Sequence, residues 1–192
     1  MVLASASPRR KELLRKLKVP FKVIPSHLAE PPPGLLDPVA YTRKLALAKA
    51  RGVAKQVGRG LVLGADTVVV RGARIIGKPA DFADACRILS QLQGTSHRVI
   101  TGVALVDAAT GKEKAAHVVS TVTMRRLGLP EIARYARKHL DKAGAYVVQE
   151  KKDPVVAKVR GSYTNVVGLP LELVRKLLLS KPPSSFPRKR ES

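Results

Sequence analysis

The chain has 192 residues, 45% hydrophobic and 4% aromatic, with 36 Lys and Arg against 14 Asp and Glu for a formal charge of +22. That length suits one globular domain, which buries about 70% of the surface its unfolded chain exposes and needs no disulfide or metal to hold it. One cysteine, Cys86, excludes an internal disulfide, and no apolar run approaches the roughly 18 residues that span a bilayer. With no leader-like segment at Met1, these features point to a reducing cytoplasm and away from membranes. The charge excess predicts attraction to polyanions: nucleic acid, an anionic surface or phosphate-bearing small molecules.

Val2 to Ala4 reads as a short strand running into the turn Ser5-Ala6-Ser7-Pro8 and a helix with Leu13, Leu14 and Leu17 on one face. Ser7 is placed to cap that helix and Pro8 suits its first position. Phe21 to Ile24 reads as a strand, and Ser26 to Leu36, with three consecutive prolines, as a loop. Asp37-Pro38 opens a second helix that continues to about Val57. Leu61 to Val70, LVLGADTVVV, has the composition of a central buried strand. A capped helix follows over Asp81 to Leu92, then strands over His97 to Val106 and Ala116 to Met124, joined as a hairpin at Thr110-Gly111. A strand over Val155 to Val159 and helices over Pro130 to Leu140 and Leu171 to Leu179 complete the order. This is a mixed α/β fold with an antiparallel component, spanning residues 1–180 as one domain. Lys181 to Ser192, KPPSSFPRKRES, reads as a disordered basic tail.

Chemistry concentrates at a few positions. The turn from Ser5 to Pro8 gathers hydroxyls and free N–H groups at the positive end of a helix dipole, which makes it an anion site. Arg9 and Arg10 stand in the first helical turn, where cations are disfavoured, so an anionic partner explains them. Asp66 is a carboxylate in the most apolar stretch of the chain, and a buried carboxylate demands a cation, a metal or a hydrogen-bond network. Most of the scarce acids fall at helix starts, within helices or beside the hairpin turn. Glu30, Asp66, Asp141, Glu150 and Asp153 lack such a role, and Asp66 with Glu30 is the pair chosen for a hard divalent ion such as Mg²⁺. Lys78, in Ile76-Gly77-Lys78-Pro79, suits a phosphate contact, and Lys49 lies in an otherwise small, apolar stretch of helix. There is no Walker loop, no Gly-x-Gly-x-x-Gly after a strand and no His-Glu-x-x-His, and the four histidines lack ligand spacing. Cys86 reads as a helix residue facing the core.

LASASPRRKELL at the start, LGADTVV at 63 to 69, GKP at 77 to 79, TGVALV at 101 to 106, LDKAGAYVVQ at 140 to 149 and GSYTNVVGLPL at 161 to 171 together resemble the Maf family of nucleotide pyrophosphatases. The resemblance implies an elongated mixed β-sheet with flanking helices and two lobes around a cleft, related in fold to the inosine-triphosphate pyrophosphatases, and a homodimer. It implies hydrolysis of a nucleoside triphosphate to the monophosphate and pyrophosphate with a divalent metal cation, Mg²⁺ or Mn²⁺. Carried over by motif, Ser5, Arg9 and Arg10 hold the phosphates, and Glu30 and Asp66 serve the metal and the attacking water, with Asp66 the general base. Lys49 and Lys78 neutralise charge on the phosphates. Arg9, Thr67 and Gln149 are similar to the branch acting on dTTP and UTP, where the Gln149 amide could pair with the edge of a pyrimidine. The turn Glu150-Lys151-Lys152-Asp153-Pro154 departs from the family's glycine-rich pattern. Two alternatives accompany this reading: a 7-methyl-GTP pyrophosphatase, and a basic nucleic-acid-binding or cell-division regulatory protein with weak or lost catalysis.

Overall fold

The computed structural model describes residues 1–32, 37–140, 142–148 and 155–180. Gln149, Asp141, the turn Glu150 to Pro154 and the tail Lys181 to Ser192 lie outside the described residues, as does the end of the proline-rich loop. Within them, seven strands form one mixed sheet and six α-helices cover it.

The strands are β1 (Val2–Leu3), β2 (Lys22–Val23), β3 (Leu61–Arg71), β4 (Arg74–Ile76), β5 (Ser96–Asp107), β6 (Glu113–Met124) and β7 (Val156–Arg160). The sheet order is β2-β1-β3-β5-β6-β7, with β4 also on β3. β1 runs parallel to β2 and β3, and the remaining pairings are antiparallel. The hairpin turn between β5 and β6 is where the sequence places it, with Gly111 at φ 71° and Asp107 Oδ1 accepting from the Ala109 and Thr110 N–H groups.

β3 organises the site. β5 pairs one of its edges continuously, from Leu61↔Asp107 to Val70↔Arg98. β1 takes the other edge at Val62 and Leu63 and β4 takes the same edge at Val69 to Arg71. Strand pairing among the described residues therefore leaves a gap at Gly64 to Val68. The chain leaving β1 turns away at this gap, the Ala4 N–H donating to Leu63 O at 2.8 Å.

The helices are α1 (Pro8–Arg15), α2 (Pro38–Val57), α3 (Phe82–Leu92), α4 (Leu129–Lys138), α5 (Tyr163–Val167) and α6 (Leu171–Leu179). The N-terminal caps are the expected ones: Asp37 Oδ2 accepts from the Val39 and Ala40 N–H groups and Asp81 from Asp84 N–H. Gly58 ends α2 in the left-handed region at φ 69°. Residues two apart on β3 share a face. Val62, with Ala104 and Val106 of β5, packs on Ala46, Ala50 and Val53 of α2, and Val68 and Val70 pack on Tyr41 and Leu45. Leu61, Leu63 and Ala65 face α1 and α6 through Leu13, Leu14, Val174 and Leu177. Val69 meets the α3 and α4 cluster around Leu89, Ile132 and Tyr135. Each such fully buried side chain contributes about 1.5–3 kcal/mol. Cys86 packs partly buried against that last cluster, as its place on the helix predicts.

Two glycines set how near α2 lies. A Cβ on Gly64 would meet Ala46 O at 2.2 Å, and one on Gly102 would meet Thr42 O at 2.4 Å. The helix backbone thus rests directly on β3 and β5, which brings Lys49, one turn beyond Ala46, over the gap.

β4, α5 and a 3₁₀ turn over Ala143–Ala145 were not anticipated from sequence. Each is three to five residues long, too short for hydrophobic periodicity to register.

Candidate active site

A cleft of about 700 Å³ opens at the gap in β3. Among its lining side chains are six cations, Arg9, Arg10, Lys49, Lys78, Lys138 and Lys142, against two carboxylates, Glu30 and Asp66. Such a wall favours a polyanionic ligand. Ser5 and Thr67 also line it. The structure thus brings together the sequence-selected residues, except Gln149, which is outside the described residues.

Asp66 is 5% exposed and Lys49 9%. Lys49 Nζ donates to Asp66 Oδ1 at 2.7 Å and to Glu30 Oε1 at 2.6 Å. The lysine that the sequence offers as a phosphate ligand is therefore the cation that makes the buried carboxylate affordable. Burial alone would push the Glu30 carboxyl up, but the hydrogen bond from Lys49 and the charges of Lys49, Lys78 and Arg10 outweigh it and hold the group below its ordinary value.

On the other side of β3, Thr67 enters a different environment. Arg10 donates through Nε to Gly168 O at 2.9 Å, through Nη1 to Ser5 Oγ at 3.3 Å and through Nη2 to Thr67 Oγ1 at 3.0 Å. All three acceptors are neutral. Burial lowers the pKa of Arg10, against the charges of Asp66 and Glu30, which raise it, yet a guanidinium stays protonated throughout the ordinary pH range. Two of its five N–H groups remain for a ligand. Ser5 Oγ accepts from both Ser7 N–H, at 3.2 Å, and Arg10, so its own proton is available to an anion. Burial also lowers the pKa of Arg9, and Lys142 is lowered by burial and by the charges of Arg9 and Lys78. All three line the cleft.

The arrangement fits a hard divalent ion that arrives with its ligand. Two carboxylate groups face the cleft, each with one oxygen on Lys49, and no cluster of three or more acid, His or Cys side chains suited to a metal occurs among the described residues. Two carboxylates with phosphate and water oxygens are an ordinary Mg²⁺ donor set.

Sequence reasoning missed several contributors. Behind Thr67, Thr101 Oγ1 lies 2.9 Å from Thr67 Oγ1 and donates to Asn165 O at 3.1 Å. At the other end of the cleft, His97 Nε2 contacts the hydroxyl of the lining residue Tyr146 at 2.6 Å. Burial, with the charge of Arg71, pushes the His97 pKa down to about 4, and burial raises that of Tyr146. Thr101 and Asn165 are polar groups inside apolar runs, the same signal that singled out Asp66.

A family model described as Maf-like protein matches residues 1–181. Relatives named "dTTP/UTP pyrophosphatase" include those of Moorella thermoacetica, 49% identical over 180 residues covering 93% of both chains, and Pelotomaculum thermopropionicum, 46% identical over 93% of this chain and 94% of the relative. A third, from Koribacter versatilis, is 42% identical over 93% and 92%. With the family model and these relatives each spanning nearly all of it, and with its motifs gathered around one cationic cleft, the chain belongs to the Maf family.

Proposed function

We propose that this protein hydrolyses nucleoside triphosphates, dTTP and UTP foremost, to the monophosphate and pyrophosphate. The observation that carries the reading is the pairing, across one cleft, of a buried carboxylate on Lys49 with a guanidinium held by neutral acceptors. The first suits a water-activating base and the second a phosphate chain. Relatives bearing the name dTTP/UTP pyrophosphatase support the substrate class.

In this mechanism Arg9, Arg10, Lys78 and the Ser5 hydroxyl bind the triphosphate. Lys49 holds Asp66 by Oδ1 while Oδ2 takes a proton from a water that attacks the α-phosphorus. The bond from that phosphorus to the bridging oxygen breaks, and the electron pair leaves with pyrophosphate, whose charge Lys78 and the arginines offset. Glu30 and Asp66 would hold a divalent ion, Mg²⁺ or Mn²⁺, which when bound neutralises phosphate charge and orients the nucleotide. Gln149, outside the described residues, would pair with the edge of the base, and Thr67 supports Arg10. A homodimer and a cytoplasmic setting belong to the same reading, the latter favoured by the single cysteine. Among the described residues no helix is long and apolar enough to cross a membrane.

The test is pyrophosphate release from a panel of nucleoside triphosphates with Mg²⁺ or Mn²⁺, for wild type and Asp66→Asn. Turnover of dTTP and UTP that disappears in the variant is expected. Preference for 7-methyl-GTP would replace the substrate assignment. No turnover at all, with salt-dependent binding to DNA or RNA, would favour the nucleic-acid reading that the charge of +22 raises.

A further inference from the structure

The hydroxyl chain behind Arg10 has a direction, and counting protons gives it. Thr101 Oγ1 donates to Asn165 O at 3.1 Å, and a hydroxyl has one proton to give. Thr101 therefore cannot also donate across its 2.9 Å contact with Thr67 Oγ1. In that contact Thr67 is the donor, because the opposite order would send the Thr67 proton to Gly168 O, a longer contact at 3.5 Å. Its single proton is spent away from the cleft, and its oxygen meets Arg10 Nη2, 3.0 Å away, with a lone pair. Each group donates to the next, from Arg10 to Thr67 to Thr101 to the Asn165 carbonyl. Hydroxyls aligned in one sense polarise each other and accept more strongly.

The far end of the chain is anchored in three elements. Thr101 is fully buried on β5, in register opposite Thr67. Asn165 O also accepts from Gly168 N–H at 3.0 Å, and the fully buried Asn165 side chain donates through Nδ2 to Val99 O at 3.0 Å and Ser120 Oγ at 2.9 Å. Ser120 in turn donates to Ser162 O at 3.0 Å. The chain thus ties Arg10 to β5, β6 and α5. Without the Thr101 hydroxyl, the Thr67 proton has Gly168 O as its substitute acceptor, at 3.5 Å. A Thr67 hydroxyl turned towards that carbonyl swings away the lone pair that meets Arg10 Nη2, and the guanidinium would turn with it.

We infer that Thr101 is a positioning residue of the anion site: it lies behind the cleft wall and aims the two remaining Arg10 N–H groups by fixing the direction in which Thr67 donates. This rests on the reading of Arg10 as a phosphate ligand.

The experiment measures binding of inorganic pyrophosphate by calorimetry, and KM and kcat for UTP, in wild type, Thr101→Val and Thr101→Ser, each with and without Arg10→Ala. Thr101→Val should weaken pyrophosphate about three- to tenfold and raise KM similarly, while kcat changes by less than about twofold, the scale of one hydrogen bond to a charged network. Thr101→Ser should restore wild-type behaviour, and in the Arg10→Ala background Thr101→Val should add nothing. Unchanged pyrophosphate affinity in Thr101→Val, an equal loss without Arg10, or failure of the serine to rescue overturns the inference. Neutron diffraction from the wild-type protein decides the matter even if the valine variant does not fold. A Thr67 proton directed at Thr101 Oγ1 upholds it, and one directed at Gly168 O, or a Thr101 proton directed at Thr67, overturns it. A wild-type enzyme that turns over no triphosphate defeats the proposed function, while the proton order and the pyrophosphate comparison still decide the role of Thr101.

Discussion

Asp66 and Thr67 are neighbours on β3 that face opposite ways, and their surroundings follow opposite electrostatic plans. On the α2 side, Lys49 lies between two carboxylates, so the lysine is neutralised and one negative charge is left over. On the other side, Arg10 rests on two hydroxyls and a carbonyl. The second plan leaves a cation with no carboxylate among its hydrogen-bond acceptors; the first holds a carboxylate in place without exposing it. A strand achieves this juxtaposition cheaply, because adjacent residues reach both environments within one peptide unit.

The comparison can be broken from either side. Asp66→Asn should cost the most, lowering kcat about 10²- to 10⁴-fold as expected for loss of a general base, with the melting temperature nearly kept because Lys49 retains Glu30. Next comes Gly102→Ala. Its Cβ would stand 2.4 Å from Thr42 O and 2.7 Å from Arg43 N, so α2 must lift. Chemical denaturation should show a loss of about 2–4 kcal/mol, the range for overpacked core sites, with activity falling alongside as Lys49 moves off Asp66. Arg10→Ala should leave α2 undisturbed and instead raise KM about 10- to 100-fold, the worth of hydrogen bonds between charged groups. Equal effects of Arg10→Ala on KM and on unfolding would mean that the arginine is structural.

The smallest effect is a pH dependence that separates a compensated charge from a buried neutral group. His97 titrates near 4 in the folded protein against an ordinary 6.5, so the unfolded chain takes up its proton first as the pH falls. Its contribution is whole above 6.5 and is lost progressively towards 4, the loss reaching about 2 kcal/mol at pH 5. Glu30, held below its ordinary value of 4.5, acts in the same direction but starts to lose its contribution at more acid pH. Denaturation curves between pH 7 and 5 should therefore flatten in His97→Gln and remain sloped in Glu30→Gln.

Much of this was legible in the sequence because the signals are local. The apolar run of β3, the caps at Asp37 and Asp81, the hairpin turn and the isolation of Asp66 each depend on residues within a few positions. The use of Lys49 was not legible, since its two partners lie 19 and 17 residues away and only the resting of α2 on Gly64 and Gly102 brings them together. The tyrosine on His97 is 49 residues distant, and Thr101 reaches Asn165 across 64. Contacts of that separation depend on sheet register, which a single sequence leaves unstated.

The interruption on the outer edge of β3 also governs what can approach. Peptide groups alternate sides along a strand, so Ala65 and Thr67, in phase with Leu63 whose carbonyl accepts from Ala4, turn their N–H and C=O groups towards the opening. Exposed strand edges usually invite another chain to pair and aggregate. Here β1 and β4 flank the opening, leaving a notch too short for an incoming strand, so the interrupted edge can border a cleft without becoming a template for fibre growth.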